Sequence, residues 1–147
     1  MGLDMYLTAS NYLYESRESD VKVSETIKKI VDTPFRIESV KVELAYWRKA
    51  NQIYSWFLKN VQNGEDVGQH ADVSTEQLSE LLETVKKVLN DHSLAEALLP
   101  TQSGLFFGDT SYGERYFSDL EETKEMLEKV LAWKEVENWY IEYHASW

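Results

Sequence analysis

Leu3, Met5 and Leu7 alternate with Asp4, Tyr6 and Thr8 at the start of the chain. Trp139, Ile141 and Tyr143 alternate with Tyr140, Glu142 and His144 near its end. A period of two marks a strand with one buried face, so a strand is predicted at each terminus. Phe35, Ile37, Val40, Val42, Leu44 and Tyr46 predict another, with a slip of alternation near Ser39 that reads as a bulge. Elsewhere the period lengthens to that of a helix. Trp47, Ala50, Tyr54, Phe57 and Val61 form a stripe, so a helix is predicted from Tyr46 or Trp47 to Val61, stopped by Asn63-Gly64. Leu78, Leu81, Leu82, Val85, Val88 and Leu89 form a second stripe behind Ser74 and Gln77, the spacing of a capping box, with Val73 and Leu78 placed as a staple. Leu120, Thr123, Leu127, Val130 and Leu131 predict a third helix from near Ser118 to about Lys134.

Shorter features fill the gaps. Ser24–Val31 predicts two helical turns ended by Thr33-Pro34, because the residue before Pro avoids the helical region. Glu15–Asp20 and Glu65–Ala71 read as loops, and Ser93 with Glu96 as the start of a short helix closed by Pro100. Gly104-Leu105-Phe106-Phe107-Gly108 is a short strand or a buried loop. Strands at both ends and three main helices between them predict an α+β fold, with an antiparallel sheet in which the terminal strands pair.

At 147 residues the chain suits one domain spanning 1–147, able to bury about 68–70% of its unfolded surface. A 43% hydrophobic content with five Trp and nine Tyr argues against disorder. The absence of Cys rules out a disulfide framework and a thiolate metal site, and fits a reducing, cytoplasmic setting. The N-terminal segment Met1–Tyr6 lacks a basic region and a long apolar run, so no signal peptide is expected, and no stretch approaches the roughly eighteen apolar residues a membrane span needs.

Charge changes the picture most. Residues 1–60 carry nine Lys/Arg and eight Asp/Glu, whereas residues 61–147 carry six and eighteen, so the net −11 divides as +1 and −12. Direct binding to nucleic acid or anionic lipid is disfavoured, since neutralising phosphates takes clustered cations. Six glycines form neither a P-loop nor a dinucleotide fingerprint. His70, His92 and His144 share no metal-ligand spacing, and no Gly-x-Ser-x-Gly elbow is present. No catalytic residue, metal site or cofactor is expected.

Two candidate surfaces remain. The first is a ligand site built from Trp47, Arg48, Lys49 and Asn51 at a helix start, with the loop residues Thr101, Ser103, Phe106 and Phe107. A forked guanidinium, an amide and aromatic rings suit a nucleotide or phosphorylated molecule. The competing reading makes Trp47 core, pairs Arg48 with a surface carboxylate, and makes Phe106-Phe107 a core-filling excursion. The second surface is acidic: Asp119, Glu121, Glu122, Glu125 and Glu128 crowd the last helix, beside Glu76, Glu80 and Glu83 on the second, with Trp139, Tyr143 and Trp147 as aromatic anchors. Such a surface suits a basic protein partner, although it also serves plain solubility.

The segments Met1-Gly2-Leu3-Asp4-Met5-Tyr6-Leu7, Tyr46-Trp47-Arg48-Lys49-Ala50-Asn51, Leu99-Pro100-Thr101-Gln102-Ser103-Gly104-Leu105-Phe106-Phe107-Gly108 and Tyr143-His144-Ala145-Ser146-Trp147 resemble a family of small phage and prophage proteins without assigned function. Residues 15–36 fall outside the resemblance, and Tyr54 and Gly113 stand where relatives are expected to have His and Asp. The resemblance implies a viral or mobile-element origin, and with it a host cytoplasm as the setting, but no mechanism; the acidic C-terminal half is what suggests a host protein with a basic surface as partner. The kinase label some relatives carry has no phosphate-binding motif behind it here.

Overall fold

A computed structural model describes residues 1–147. The chain runs β1 (Asp4–Tyr12), α1 (Glu18–Val31), β2 (Ser39–Arg48), α2 (Asn51–Asn60), β3 (Ala71–Asp72), α3 (Thr75–Asn90), α4 (Ala95–Leu98), α5 (Glu114–Ala132) and β4 (Tyr140–Ser146). It is α+β, with five α-helices rather than about three. All strand pairs are antiparallel, and the sheet order is β2-β1-β4-β3. The terminal strands pair as the sequence predicts, with Asp4 opposite Ser146 and Ser10 opposite Tyr140.

Alternation decides the two faces. Leu3, Met5, Leu7 and Ala9 are fully buried, and join Ala45 and Trp47 from β2 and Ile141, Tyr143 and Ala145 from β4 in the core. Against them pack Ile53 and Phe57 of α2, the Leu78–Val88 stripe of α3, and Leu120, Leu127 and Val130 of α5. Phe57 and Tyr143 stack with ring centroids 4.0 Å apart. The Tyr143 hydroxyl has no protein partner in that stack, and burial pushes its pKa well above the ordinary tyrosine range.

The capping box on α3 forms as expected: Ser74 Oγ accepts from the Gln77 backbone, and the Gln77 side chain accepts from the Ser74 N–H. Other boundaries move, each for a local reason. α1 begins at Glu18 instead of Ser24, because Asp20 accepts a 3.0 Å bond from the Tyr14 N–H and anchors an extra turn. α5 begins at Glu114 instead of Ser118, because buried Tyr116 donates its hydroxyl to Leu99 O at 2.8 Å and draws that turn into the core. Asp91, not Ser93, caps the short helical segment that follows α3. The bulge in β2 falls at Leu44, where the register steps from Leu7–Ala45 to Thr8–Glu43, rather than near Ser39.

The main correction concerns residues 46–50. Tyr46, Trp47 and Arg48 end β2 and do not start a helix. Trp47 satisfies both a helical stripe with Ala50 and Tyr54 and an alternation with Ala45. The strand prevails because Trp47 pairs with Met5 in the sheet. Lys49, at φ 58°, then turns the chain into α2. Gly104–Gly108 is a loop, not a strand.

Candidate functional site

The predicted ligand site separates into parts with different work to do. Asn51 is fully buried and all its polar atoms are used. Its Nδ2 donates to Phe107 O at 3.0 Å and Asp109 O at 2.9 Å, while its Oδ1 accepts from the Gln102 N–H at 3.0 Å. It is a clamp for the 101–109 loop. Within that loop Phe107 is buried, edge-on to Tyr54 at 5.0 Å, and Thr101 Oγ1 donates to Thr110 O. Gly104 is required, since a Cβ there would lie 2.6 Å from the Phe107 ring. Phe106 takes φ 64° and stays half exposed, and Ser103 faces solvent.

Trp47 is core: its Nε1 donates to Thr123 Oγ1 at 2.8 Å. Arg48 is held by Asp4, with Nη1 at 2.7 and 2.9 Å from the two carboxylate oxygens. Tyr46 Oη donates to the same carboxylate at 2.5 Å. The Tyr46 bond, more than Arg48, lowers the Asp4 pKa, and Asp4 raises that of Arg48. Lys49 packs against Gly2 and Gly108. What remains open is a groove of about 580 Å³ between β2 and α5, lined by Tyr46 and Arg48 at the strand edge and by Arg115, Asp119 and Glu122. Its charge is mixed rather than cationic, which suits a phosphate poorly.

The acidic residues also divide. Asp119 turns inward, where its carboxylate takes a long 3.4 Å contact from Gln52 Nε2 and burial raises its pKa. It does not belong to the outer face. Glu121, Glu122, Glu125 and Glu128 are exposed, and all but Glu122 follow one line along α5, at spacings of three and four residues. None of the six ion pairs in the fold involves them. Glu83 is paired with Lys86 at 3.4 Å. Near the end of α5, Glu76, Glu80 and Glu137 line one shallow groove with Leu131, a second acidic cluster at the start of α3.

Of the proposed anchors, Tyr143 is buried in the core and offers no surface. Trp139 is partly buried against Trp133, with centroids 5.1 Å apart. Trp147 alone is half exposed, edge-on to Tyr54 at 6.4 Å.

One feature carries no signal in the sequence. On the sheet face opposite the helices, Tyr46, Tyr6 and His144 form a row across β2, β1 and β4 that ends at His70, the residue just before β3. Tyr6 lies 5.3 Å from Tyr46 and 6.3 Å from His144, and His144 stacks on His70 at 4.4 Å with planes 10° apart. Residues 74 positions apart meet because β3 adds to β4, and two-residue strands leave no periodicity to read. Burial first, and then His70, lower the His144 pKa below its ordinary 6.5. The folded chain thus holds this proton more weakly than the unfolded chain, which binds more protons once the pH falls below about 6.5. Stability from this group is complete above that value and is lost on acidification through the folded pKa. Melting temperatures between pH 7.5 and 5 should accordingly fall further for the native protein than for His144→Gln; equal falls would remove the stack as a source of pH sensitivity.

Comparison with known protein families, characterised proteins and solved structures finds no match to this chain. No helix is long and apolar enough to cross a membrane. The fold and its surfaces therefore define the class: an α+β protein with an antiparallel sheet that includes both terminal strands.

Proposed function

We propose that this protein acts by binding and not by catalysis, and that the outer carboxylates of α5 engage a basic surface on another protein. The observation that carries this reading is the set Glu121, Glu122, Glu125 and Glu128, all exposed and none in an ion pair. Like charges four apart, such as Glu121 and Glu125, destabilise a helix by a few tenths of a kcal/mol each. A cationic partner relieves that repulsion on docking and is steered toward the stripe from a distance. Together with the resemblance to phage and prophage proteins, this reading makes the partner a basic host protein, a defence or nucleic-acid-handling factor met in the bacterial cytoplasm. The small-ligand reading has less behind it, because Arg48 is engaged by Asp4 and Asn51 and Phe107 are structural.

The test is a set of immobilised baits in a bacterial extract, eluted with a salt gradient. The native chain should retain a basic protein that elutes at moderate salt, and Glu121, Glu122, Glu125 and Glu128 changed together to Gln should lose it while melting at the same temperature or higher. Retention of the same protein by the quadruple variant, or binding indifferent to salt, counts against the proposal.

A further inference from the structure

β2 is ten residues long and lies at the edge of the sheet, paired only with β1. An edge strand carries a row of unpaired backbone donors and acceptors, ready to accept another strand. Which residues present those groups follows from the bonds to β1. The Leu13 N–H donates to Glu38 O at 2.9 Å, and in an antiparallel ladder the bonded positions recur every second residue. With Val40 opposite Asn11 and Val42 opposite Ala9, Glu38, Val40 and Val42 turn their backbone groups to β1. Ser39, Lys41 and Glu43 turn theirs outward. Lys41, Val42 and Glu43 are three consecutive exposed residues, so neither helices nor loops cover this stretch. α5 meets the other end of the strand, where Tyr46 and Arg48 line its groove.

The side chains select the occupant. An edge is commonly protected by charges of one sign, which repel a copy of themselves. Here a Lys and a Glu flank one Val. If two copies of β2 paired about Lys41, lysine would face lysine; about Glu43, glutamate would face glutamate. About Val42, each Lys41 faces a Glu43, and both positions have their backbone groups free to bond. That register also sets Val40 against Leu44, the bulged residue at which the register of β2 to β1 shifts. The pairing surface lies in the part of the chain whose net charge is +1, so the acidic remainder does not oppose approach there.

We propose that a second copy of this chain docks antiparallel on the free edge of β2, with Val42 against Val42 and Lys41 against the partner's Glu43. The two four-stranded sheets then join as one across a two-fold axis through the Val42 pair, an isologous contact in which every other cross-strand pair, Lys41–Glu43 included, occurs twice. Opposed like charges cost stability at each pair, and two pairs change together.

Sedimentation velocity on the full chain at micromolar concentration tests this. The native protein should sediment as a dimer of 17.2 kDa subunits. Lys41→Glu and Glu43→Lys should each weaken the dimer by roughly tenfold or more. The double variant should restore it, and an equimolar mixture of the two single variants should form a heterodimer, because its pairs are again Glu–Lys. A native protein that stays monomeric overturns the proposal. A dimer indifferent to both single changes, or not restored by the double change or the mixture, overturns it as well. The mixture also separates charge pairing from misfolding, since an unfolded variant cannot be rescued by its counterpart.

Discussion

Asn51→Ala is expected to destabilise the protein by about 3–4 kcal/mol, although the residue lies on no accessible surface. The truncation leaves Phe107 O, Asp109 O and the Gln102 N–H without their partner, and these groups sit where the 101–109 loop presses on the body. An unmade buried hydrogen bond costs more than a made one contributes, and the buried Phe107 O bears most of that cost. Asn51→Asp should be no better, since a carboxylate would face two carbonyl oxygens. Denaturant unfolding measures the loss, and limited proteolysis should place new cleavage between residues 101 and 113. A midpoint shift worth less than 1 kcal/mol would mean that the loop is held by Phe107 packing alone.

Trp47→Ala is expected to cost about 4 kcal/mol, in the range for truncating a buried large aromatic. Trp47 fills the space between sheet and helices, with its ring 5.8 Å from Phe57, and its indole N–H is satisfied by Thr123 Oγ1. Thr123 Oγ1 in turn donates to Asp119 O at 2.6 Å, so one side chain links β2 to α5. Trp47→Phe retains most of the packing and removes only the indole bond, which isolates about 1 kcal/mol for it. A residue serving chiefly as a ligand platform would behave otherwise: Trp47→Ala would then melt near the native temperature. Thermal melts of both variants decide between these.

These two residues also show what could be read from the chain beforehand. The terminal strands and the Ser74–Gln77 box were legible because their signals are local: alternation, and a hydroxyl three residues before an amide. The segment Tyr46–Asn51 was not, because Trp47 fits two periods at once, and only its pairing with Met5, far away in sequence, resolves them. For Asn51 the chemistry was recognisable but its target was not. A buried amide that bonds backbone more than fifty residues on looks, in sequence, like an amide awaiting a ligand. Ser118 with Glu121 imitates a helix start inside α5, whereas the true start at Gly113 has no side chain to announce it. Tyr143 was legible as a strand residue but not as a wholly buried one, since its facing partner, Phe57, comes from another element. Charge survived best: the carboxylates expected on α5 do face solvent, apart from Asp119, whose inward turn depends on Gln52 of α2.

The role proposed for the α5 carboxylates is tested most directly by chemical footprinting of carboxyl groups, free and in the complex recovered from the bacterial extract. Amidation with a carbodiimide and a small amine should be suppressed on binding at Glu121, Glu122, Glu125 and Glu128, and remain unchanged at Glu18 and Glu25 on α1. Protection centred on the α1 and β2 carboxylates, with the α5 set still fully reactive, would contradict it.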